Sequence, residues 1–277
     1  KAKKVLTELL RRHRSRVELL DPAFTAQNRF IRDPARLKAA LCTRRAGKSY
    51  GLGLYLCQEA MSHPGVSVGY IALTRTSAKK IMFKDVLKVI NRKFKLMCKF
   101  NEVELTMTFP NGSVIYLAGA DAKPDEMEKF LGQKYRIVGI DESGSFKQDV
   151  KKLVEEVLWP AMTDLDGTIV MIGTPRNNTN TYFYKVTNGQ VPGWSVHKWS
   201  ALENPHVGKK FEKEIAELIR LNPAIVDTPL FKQMYKGEWS VDEDARVYKY
   251  REERNLVESL PPLKGRAEWK YILGIDL

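Results

Sequence analysis

The sequence predicts an α/β fold in which a mainly parallel β-sheet is flanked by helices. Short apolar segments with strand character alternate with segments of helical periodicity through the first 200 residues, which is typical of βαβ units. Two predicted strands end in residues with phosphate- and magnesium-binding chemistry, Gly47-Lys48-Ser49 and Asp141-Glu142. Because ligands of open α/β sheets bind at the carboxyl ends of the strands, these observations predict a nucleotide-binding domain.

The predicted elements follow a regular order along the chain. We expect strands at 37–42, 66–73, 136–140, 168–172 and 194–199, with a hairpin over 102–118 that turns at 110–112. Helices are expected at 50–61, 79–99, 151–158, 208–221 and 229–235. The domains that follow are a basic N-terminal helix at 1–20, a nucleotide-binding core at 21–205, a small C-terminal linker subdomain at 206–268 and a last segment at 269–277.

Composition excludes several classes of protein. The 277 residues are 43% hydrophobic and 10% aromatic, which is enough to bury a sizeable core. No run of about 18 apolar residues occurs, which argues against a membrane span. The three cysteines and four histidines show no paired metal-ligand spacing, so we expect neither a zinc site nor a disulfide framework. The cysteine pattern and a basic N-terminus without the apolar core of a signal peptide favour a reduced, intracellular protein, and the formal net charge of +13 favours a polyanionic partner.

The positive charge is concentrated in the first two thirds of the chain. Residues 1–200 carry 33 Lys+Arg against 19 Asp+Glu, whereas residues 201–277 carry 13 against 14. Within 79–99, basic residues recur at helical spacing opposite an apolar face of Phe83, Leu87, Ile90, Phe94 and Met97; the basic residues are Lys80, Lys84, Lys88, Arg92, Lys95 and Lys99. This basic stripe is either a solvated helix face or a surface that contacts nucleic-acid phosphates.

The segment 43–49 has the chemistry of a phosphate-binding loop. Glycine at position 47 lets backbone N–H groups approach the phosphates, Lys48 neutralises them, and the Ser49 hydroxyl binds Mg²⁺. Cys42 occupies the position of the first glycine in the usual pattern, so the tripeptide alone is a weak signal. Its place between a predicted strand and a predicted helix strengthens it.

Two further strand ends support the nucleotide site. Asp141 is expected in the Mg²⁺ shell and Glu142 as the group that orients or deprotonates the attacking water, although such a pair also caps helices. The strand at 168–172 ends in Gly173-Thr174-Pro175, a third polar terminus. Together these features indicate a P-loop NTPase of the ASCE, RecA-like type.

ATP is the favoured nucleotide. The sequence contains no Asn-Lys-x-Asp guanine-reading motif, and the adjacent carboxylates suit ATP hydrolysis coupled to motion. Gln27, which lies between Phe24 and Phe30, is placed to read the adenine edge while an aromatic ring packs on the base. The alternative is a surface glutamine beside core aromatics.

With these motifs, the chain resembles the large terminase subunit of tailed bacteriophages, the ATP-driven motor that packages genomic DNA. The family's loop lacks the first glycine and carries arginine, as 43–49 does here, and Phe231–Trp239 is similar to the segment that closes its ATPase domain. The resemblance implies ATP and Mg²⁺ as cofactors. It implies that the ATP-binding residues are Gln27, Thr43, Arg44, Arg45, Ala46, Gly47, Lys48 and Ser49.

The resemblance also implies individual roles. Arg44 looks like the catalytic arginine that senses the γ-phosphate, and Glu142 like the catalytic base. Ser49 and Asp141 look like the Mg²⁺ ligands, and Gly173-Thr174-Pro175 like the motif that couples hydrolysis to movement. The family often has an arginine before a glycine upstream of the acidic strand; here Leu131 precedes Gly132. The substitutes that remain open are Arg136, Lys134, Lys129 and Arg75.

The family's second domain is a ribonuclease H-type nuclease whose first strand ends in a metal-binding aspartate. Residues 272–276 resemble that strand, with Asp276 as the nuclease metal ligand, so the full-length protein would also cut DNA whereas this sequence would stop one step into the nuclease. The implied partners are double-stranded DNA, the phage portal, the small terminase subunit and further copies in a ring on the portal, with no membrane. The implied location is the cytoplasm of the infected bacterial host, outside the mature virion.

Two other functions compete with a DNA-packaging motor. A helicase-type translocase of the two-domain class needs a second RecA-like domain, but only about a hundred residues follow Gly173-Thr174-Pro175 and they carry no excess positive charge. A DNA-binding scaffold with a degenerate nucleotide loop is the non-enzymatic alternative.

Overall fold

The computed structural model describes residues 18–120, 132–146 and 150–240. All of them belong to the first of two compact units, Lys1–Val241, whereas the second, Asp242–Leu277, lies outside the described residues. The predicted helix at 1–20, most of the linker beyond 240 and Asp276 are therefore not described, and the predicted domain boundaries stay predictions. Among the described helices, none is long and apolar enough to cross a membrane.

Eight strands form one sheet in the spatial order β3-β4-β5-β2-β6-β7-β1-β8. The strands are β1 (Leu37–Cys42), β2 (Ser67–Ala72), β3 (Lys99–Asn101), β4 (Thr106–Thr108), β5 (Val114–Gly119), β6 (Tyr135–Ile140), β7 (Thr168–Gly173) and β8 (Ser195–Trp199). The six strands from β5 to β8 in that order pair in parallel. The prediction of a mainly parallel sheet flanked by helices is confirmed.

Helices connect the strands. They are α1 (Thr25–Arg32), α2 (Lys48–Ser62), α3 (continuous through Arg75–Ser77, Ala78–Leu87 and Lys88–Phe94), α4 (continuous through Val150–Lys152, Leu153–Leu158 and Trp159–Met162), α5 (Tyr182–Thr187), α6 (Gly208–Leu221) and α7 (Pro229–Phe231 with Lys232–Lys236). The middle part of α3 has π-helical hydrogen bonding. The five predicted helices between residues 50 and 235 thus exist, with boundaries shifted by a few residues.

Each face of the sheet carries its own apolar core. Strand β1 alternates between them, because Ala40 and Cys42 point into a core shared with α2 and α3, whereas Ala39 and Leu41 point into a core shared with α4 and α5. Strands covered on both faces are expected to be mostly apolar, and β1 is so except for Lys38, whose buried ammonium donates to the Tyr55 hydroxyl at 2.8 Å. Gly139 in β6 permits the close approach of α2, since a Cβ there would lie 2.7 Å from the Leu52 side chain.

Two details of the sheet edge and of α3 differ from the prediction. The hairpin of β4 and β5 is confirmed, but it continues into a third antiparallel strand, β3, which contains Lys99. Helix α3 ends at Phe94, because Lys95 adopts left-handed backbone geometry with φ 51°. Met97 therefore leaves the apolar face on which it was predicted and is 67% exposed. Phe83, Leu87 and Ile90 are fully buried, as predicted.

A hydrogen-bonded carboxylate joins the end of α1 to strand β8. His197 Nε2 lies 2.6 Å from Asp33 Oδ2, and the Ser195 hydroxyl donates to the same oxygen. The Ala35 amide donates to Oδ1 at 2.8 Å. Burial acts to raise the pKa of Asp33, but hydrogen bonds from Ser195, Ala35 and His197 outweigh it and lower the pKa to about 2.

We predict that Asp33→Asn lowers the free energy of unfolding by about 2 kcal/mol at pH 7, because a pKa lowered from 3.8 to about 2 stabilises the folded state whenever the carboxyl is ionised in both states. The stabilisation is present above the unfolded pKa near 4 and disappears as the pH falls through about 2. Denaturant unfolding of both chains between pH 3 and pH 7 measures the difference, which should shrink toward acid.

The control is Asp85→Asn, since Asp85 is exposed on α3. An equal loss of stability in both variants, independent of pH, would contradict the prediction.

Candidate nucleotide site

Three neighbouring parallel strands bring the sequence motifs to one edge of the sheet. Strand β7 pairs with β1 on one side and with β6 on the other, all in parallel. The loop 43–49 follows β1, Asp141-Glu142 follows β6, and Gly173-Thr174-Pro175 lies at the end of β7 between them. The structure therefore brings the three predicted motifs together.

Three side chains from two distant parts of the chain hold the carbonyl oxygens of the loop. Successive carbonyls accept a hydrogen bond: Asn204 Nδ2 to Arg45 O at 3.1 Å, Trp199 Nε1 to Ala46 O at 2.7 Å, and Gln27 Nε2 to Gly47 O at 3.0 Å. This arrangement fixes the carbonyl side of the loop, and an anion would bind on its N–H side. Gly47 has φ 74° at the start of α2, which favours glycine.

The first half of the loop rests on the C-terminal part of the described chain. The Thr43 hydroxyl accepts a hydrogen bond from the Ala201 amide at 2.7 Å, and the Arg44 amide donates to Met234 O at 3.2 Å. Thr43 is buried, whereas Arg44 and Arg45 are exposed. The hydroxyl of Thr43 thus has a structural partner, and the guanidinium groups of the two arginines lie at the surface of the loop.

Asp141 is the buried acid of the site. Its Oδ2 accepts hydrogen bonds from the Ser49 hydroxyl at 2.8 Å and from the Tyr70 hydroxyl at 3.0 Å. Burial raises the pKa of Asp141, although the nearby Lys48 ammonium opposes the shift. A divalent cation would favour the ionised form, so the donor set of Ser49 and Asp141 fits Mg²⁺.

A Mg²⁺ site of this kind does not need a complete set of protein ligands. Within the described ranges, no group of three or more His, Cys, Asp and Glu side chains is arranged to hold a metal ion. Mg²⁺ usually binds through one or two protein oxygens, the nucleotide phosphates and water. The pair of Ser49 and Asp141 is consistent with that mode.

Glu142 lies between two cations. Lys48 Nζ is 3.0 Å from Glu142 Oε1, and Arg176 Nη2 is 3.5 Å from Oε2. Burial acts to lower the pKa of Lys48, but Glu142 and then Asp141 outweigh it and raise the pKa, so Lys48 is protonated. Glu142 itself has φ 53°, an uncommon conformation for a residue with a side chain and one that recurs at functional sites.

The third motif contacts the turn that follows Glu142. Thr174 is buried, and a Cβ on Gly144 would lie 3.2 Å from the Thr174 carbonyl oxygen. A Cβ on Gly173 would lie 2.8 Å from the ring of Phe183 in α5. The two glycines thus permit the end of β7 and the turn after β6 to pack closely together.

Gln27 is buried beside the loop, and its amide oxygen is unsatisfied. Among the described residues, none donates a hydrogen bond to Gln27 Oε1. A Cβ on Gly51 would lie 2.8 Å from the Gln27 side chain, so glycine makes room for it. A buried acceptor without a donor is costly, and a ligand with an N–H group would satisfy it.

The aromatic residues on either side of Gln27 belong to the core. Phe24 is 2% exposed and Phe30 is fully buried. Phe30 packs against Trp199 with ring centroids 5.6 Å apart. Their burial does not favour the prediction that one of these rings packs on the adenine base. The position of the Gln27 amide fits the prediction that it contacts the adenine edge.

Two candidate basic residues are engaged elsewhere in the same chain. Arg136 donates to Glu59 and to Leu165 O, each at 3.0 Å, at the start of β6 and thus at the opposite end from Asp141. Lys134 pairs with Asp164 at 2.6 Å. Lys129 lies outside the described residues. Arg136 and Lys134 thus each have an acidic partner within the same chain.

Sequence reasoning missed four residues of the site: Tyr70, Arg176, Trp199 and Asn204. None stands within a recognisable motif, and each reaches the site through the folding of the sheet. Arg176 was the one most easily predicted from sequence, because it directly follows Gly173-Thr174-Pro175. Trp199 is the last residue of a predicted strand next to β1.

Comparison with protein families gives one match. Residues 40–255 match the family model described as the large terminase subunit, T4likevirus-type, N-terminal. Among curated proteins, none matches the sequence.

Solved structures with the same fold include three phage terminases. The large terminase ATPase domain of Thermus phage P74-26 is 18% identical, with a TM-score of 0.58 over 81% of this chain and 100% of that chain. The large terminase of a second thermophilic bacteriophage, in complex with ATP-γ-S, is 13% identical, with a TM-score of 0.59 over 81% of this chain and 57% of that chain. The bacteriophage HK97 large terminase is 16% identical, with a TM-score of 0.59 over 79% and 50%. These likenesses show a P-loop, RecA-like fold.

We predict that Trp199→Phe lowers the free energy of unfolding by about 1–2 kcal/mol, because the buried Ala46 carbonyl loses its donor while an aromatic ring is retained. Denaturant titration measures the change. The matched control is Trp159→Phe, since Trp159 is 46% exposed. A loss no greater than that of the control would refute a role for the indole N–H in holding the loop.

Proposed function

Because this chain belongs to the large terminase subunit family of the T4likevirus type, a family of DNA-packaging motor ATPases, we propose that it hydrolyses ATP to translocate double-stranded DNA into a procapsid. The observation that carries this proposal is the convergence of two motifs at one edge of the sheet. Ser49 contacts Asp141 at 2.8 Å and Lys48 contacts Glu142 at 3.0 Å. Phosphate-binding and acidic groups are thus brought together for phosphoryl transfer to water.

The loop would hold ATP with Mg²⁺. Backbone N–H groups of 43–49 and the Lys48 ammonium would bind the phosphates, and the exposed Arg44 would reach the γ-phosphate. Ser49 and Asp141 would hold Mg²⁺, which would neutralise charge on the phosphates when bound. The thermophilic-phage terminase structures in complex with ADP and with ATP-γ-S support nucleotide binding in this fold.

Glu142 is the proposed catalytic base. A carboxylate oxygen of Glu142 would accept the proton of the attacking water as the water reaches the γ-phosphate. Its position next to the buried Asp141 and opposite Lys48 supports this role. The contact between Thr174 and the turn after Glu142 supports coupling of hydrolysis to movement through 173–175.

Gln27 is the proposed reader of adenine. An amide can accept a hydrogen bond from an exocyclic amino group and donate one to a ring nitrogen. The unsatisfied Oε1 of Gln27 supports the first of these bonds. One N–H of Nε2 is bound to Gly47 O, and its second N–H would donate to the ring nitrogen.

The basic stripe of α3 is the proposed contact for the DNA backbone. Lys80, Lys84 and Arg92 are exposed on this helix, and Lys95 is exposed directly after it. Lys88 pairs with Glu102 at 2.7 Å and is thereby partly neutralised. Phosphate contacts carry little base information, which suits a motor that must move any sequence.

The remaining partners are proposed from the family alone. They are the phage portal, the small terminase subunit and further copies of this chain in a ring on the portal. The full-length protein would cut DNA in a nuclease domain whose first strand ends in Asp276. The motor would act in the cytoplasm of the infected host and be absent from the mature virion.

We predict that Glu142→Gln abolishes turnover and preserves ATP binding, because the amide keeps the shape of the side chain but cannot accept the proton. The expected loss in kcat is at least about 10²-fold, the usual contribution of a general base. ATP turnover with plain duplex DNA and equilibrium binding of ATP-γ-S measure the two properties.

The same assay separates the competing functions. Absence of hydrolysis in the unsubstituted chain would favour the DNA-binding scaffold, and strand unwinding would favour a helicase. Glu59→Gln is the control, since Glu59 pairs with Arg136 away from the site. Appreciable turnover by Glu142→Gln would eliminate Glu142 as the base.

We predict that replacing Lys80, Lys84 and Arg92 together by Ala weakens duplex binding uniformly across sequences. If all three contact phosphates, the slope of log K against log salt should fall by about 2.7, since each contact contributes roughly 0.9. The control replaces Lys209, Lys210 and Lys213, which are exposed on α6, and removes the same charge. Equal slopes for the two triple variants would assign α3 to a solvated face.

A further inference from the structure

Arg176 connects the third motif to the catalytic base. It directly follows Gly173-Thr174-Pro175 at the end of β7, the strand between those that precede Lys48 and Glu142. Its Nη2 lies 3.5 Å from Glu142 Oε2, whereas Lys48 is bound to the other oxygen of the same carboxylate. Arg176 thus shares one anion with the lysine of the phosphate-binding loop.

The Glu142 carboxylate contacts the Lys48 ammonium, the group that would bind a nucleotide phosphate. A lysine at this position of the loop binds the β- and γ-phosphates of a nucleotide. In this structure the Lys48 ammonium is bound to Glu142 Oε1 at 3.0 Å instead. A phosphate bound by Lys48 would therefore compete with the Glu142 carboxylate. Arg176 contacts the same carboxylate and so lies within reach of that phosphate.

The guanidinium of Arg176 has donor capacity to spare. Its Nε is buried, and within the described part of the chain it meets no hydrogen-bond acceptor. The contact to Glu142 is long at 3.5 Å, whereas a guanidinium can donate two parallel bonds to a carboxylate or a phosphate. A buried donor without a partner is costly, so a second anionic oxygen next to it would be bound favourably.

We propose that Arg176 is a γ-phosphate ligand supplied by the same chain as the loop. Without nucleotide, Arg176 and Lys48 together restrain Glu142. When ATP binds, both cations transfer to its phosphates, and Glu142 is released to accept the proton of the attacking water. This inference rests on the proposed ATPase function.

ADP would behave differently, because it offers Arg176 no γ-phosphate. Lys48 would still bind the β-phosphate, whereas Arg176 would stay with Glu142. Nucleotide state would thus be read directly by the residue that follows the proposed coupling motif. The difference between ATP and ADP provides a test that does not depend on turnover.

The experiment compares equilibrium binding of ATP-γ-S and ADP to the whole chain with Mg²⁺. Arg176→Ala should weaken ATP-γ-S binding about tenfold, as expected for loss of one charge-assisted pair, and change ADP binding by less than about twofold. Arg176→Lys, which keeps the charge but loses the planar fork, should give an intermediate loss. In turnover, kcat/KM for ATP should fall with the affinity for ATP-γ-S.

The control is Arg36→Ala, because Arg36 also pairs with a carboxylate, that of Asp166, but lies before β1 at the other end of the sheet. Unchanged ADP binding reports that the variants are folded. Should Arg176→Ala not fold, the ratio of ATP-γ-S to ADP affinity in Arg176→Lys decides.

Each outcome separates this inference from the proposed function. A selective loss of ATP-γ-S binding in the Arg176 variants and not in Arg36→Ala would support the inference. An unchanged ratio of the two affinities, with normal binding and hydrolysis by the unsubstituted chain, would overturn it alone. Failure of the unsubstituted chain to bind either nucleotide would overturn the proposed function and the inference with it.

Discussion

The adjacency of three parallel strands governs the whole site. Because β7 lies between β1 and β6, residues far apart in sequence emerge at one edge, and two cations meet two carboxylates there. Such a group is costly to bury unless its charges balance. Lys48 and Arg176 contact Glu142, and the Lys48 ammonium also opposes the burial that raises the pKa of Asp141, so the two cations face two carboxylates. The fold thus maintains an arrangement of charge that nucleotide binding would rebalance.

Restraint of the loop is as important as its sequence. The tripeptide Gly47-Lys48-Ser49 specifies the chemistry, but its carbonyl side is held by side chains from α1, β8 and the turn after β8. Preorganised N–H groups bind an anion without the cost of ordering the backbone at that moment. The conformation of a loop that lacks the usual first glycine, with Cys42 in its place, is thus fixed by neighbouring side chains as well as by Gly47.

Much of this architecture is readable from sequence, because it depends on local patterns. Apolar segments such as 37–42 predicted the strands, and the motifs at 43–49 and 141–142 predicted the chemistry. Contacts that depend on strand adjacency were not predictable. Tyr70 on β2 donates to Asp141, and Arg176 after β7 contacts Glu142. The predicted helix also extended too far, to include Met97. The helix ends at a left-handed residue, Lys95, and no glycine in the sequence indicates this end.

The three donors that hold the loop carbonyls have a consequence for folding. Gln27 precedes the Gly47 carbonyl that it binds by 20 residues, whereas Trp199 and Asn204 follow the carbonyls they bind by 153 and 159. Contacts of such long range form late, because closing a long chain segment costs entropy before the contacts compensate for it. On a ribosome, the loop would gain its final geometry only after residue 234 has emerged, because the Arg44 amide binds Met234 O. Nucleotide affinity in this domain would therefore depend on the completed fold, and not on the sequence of the loop 43–49 alone.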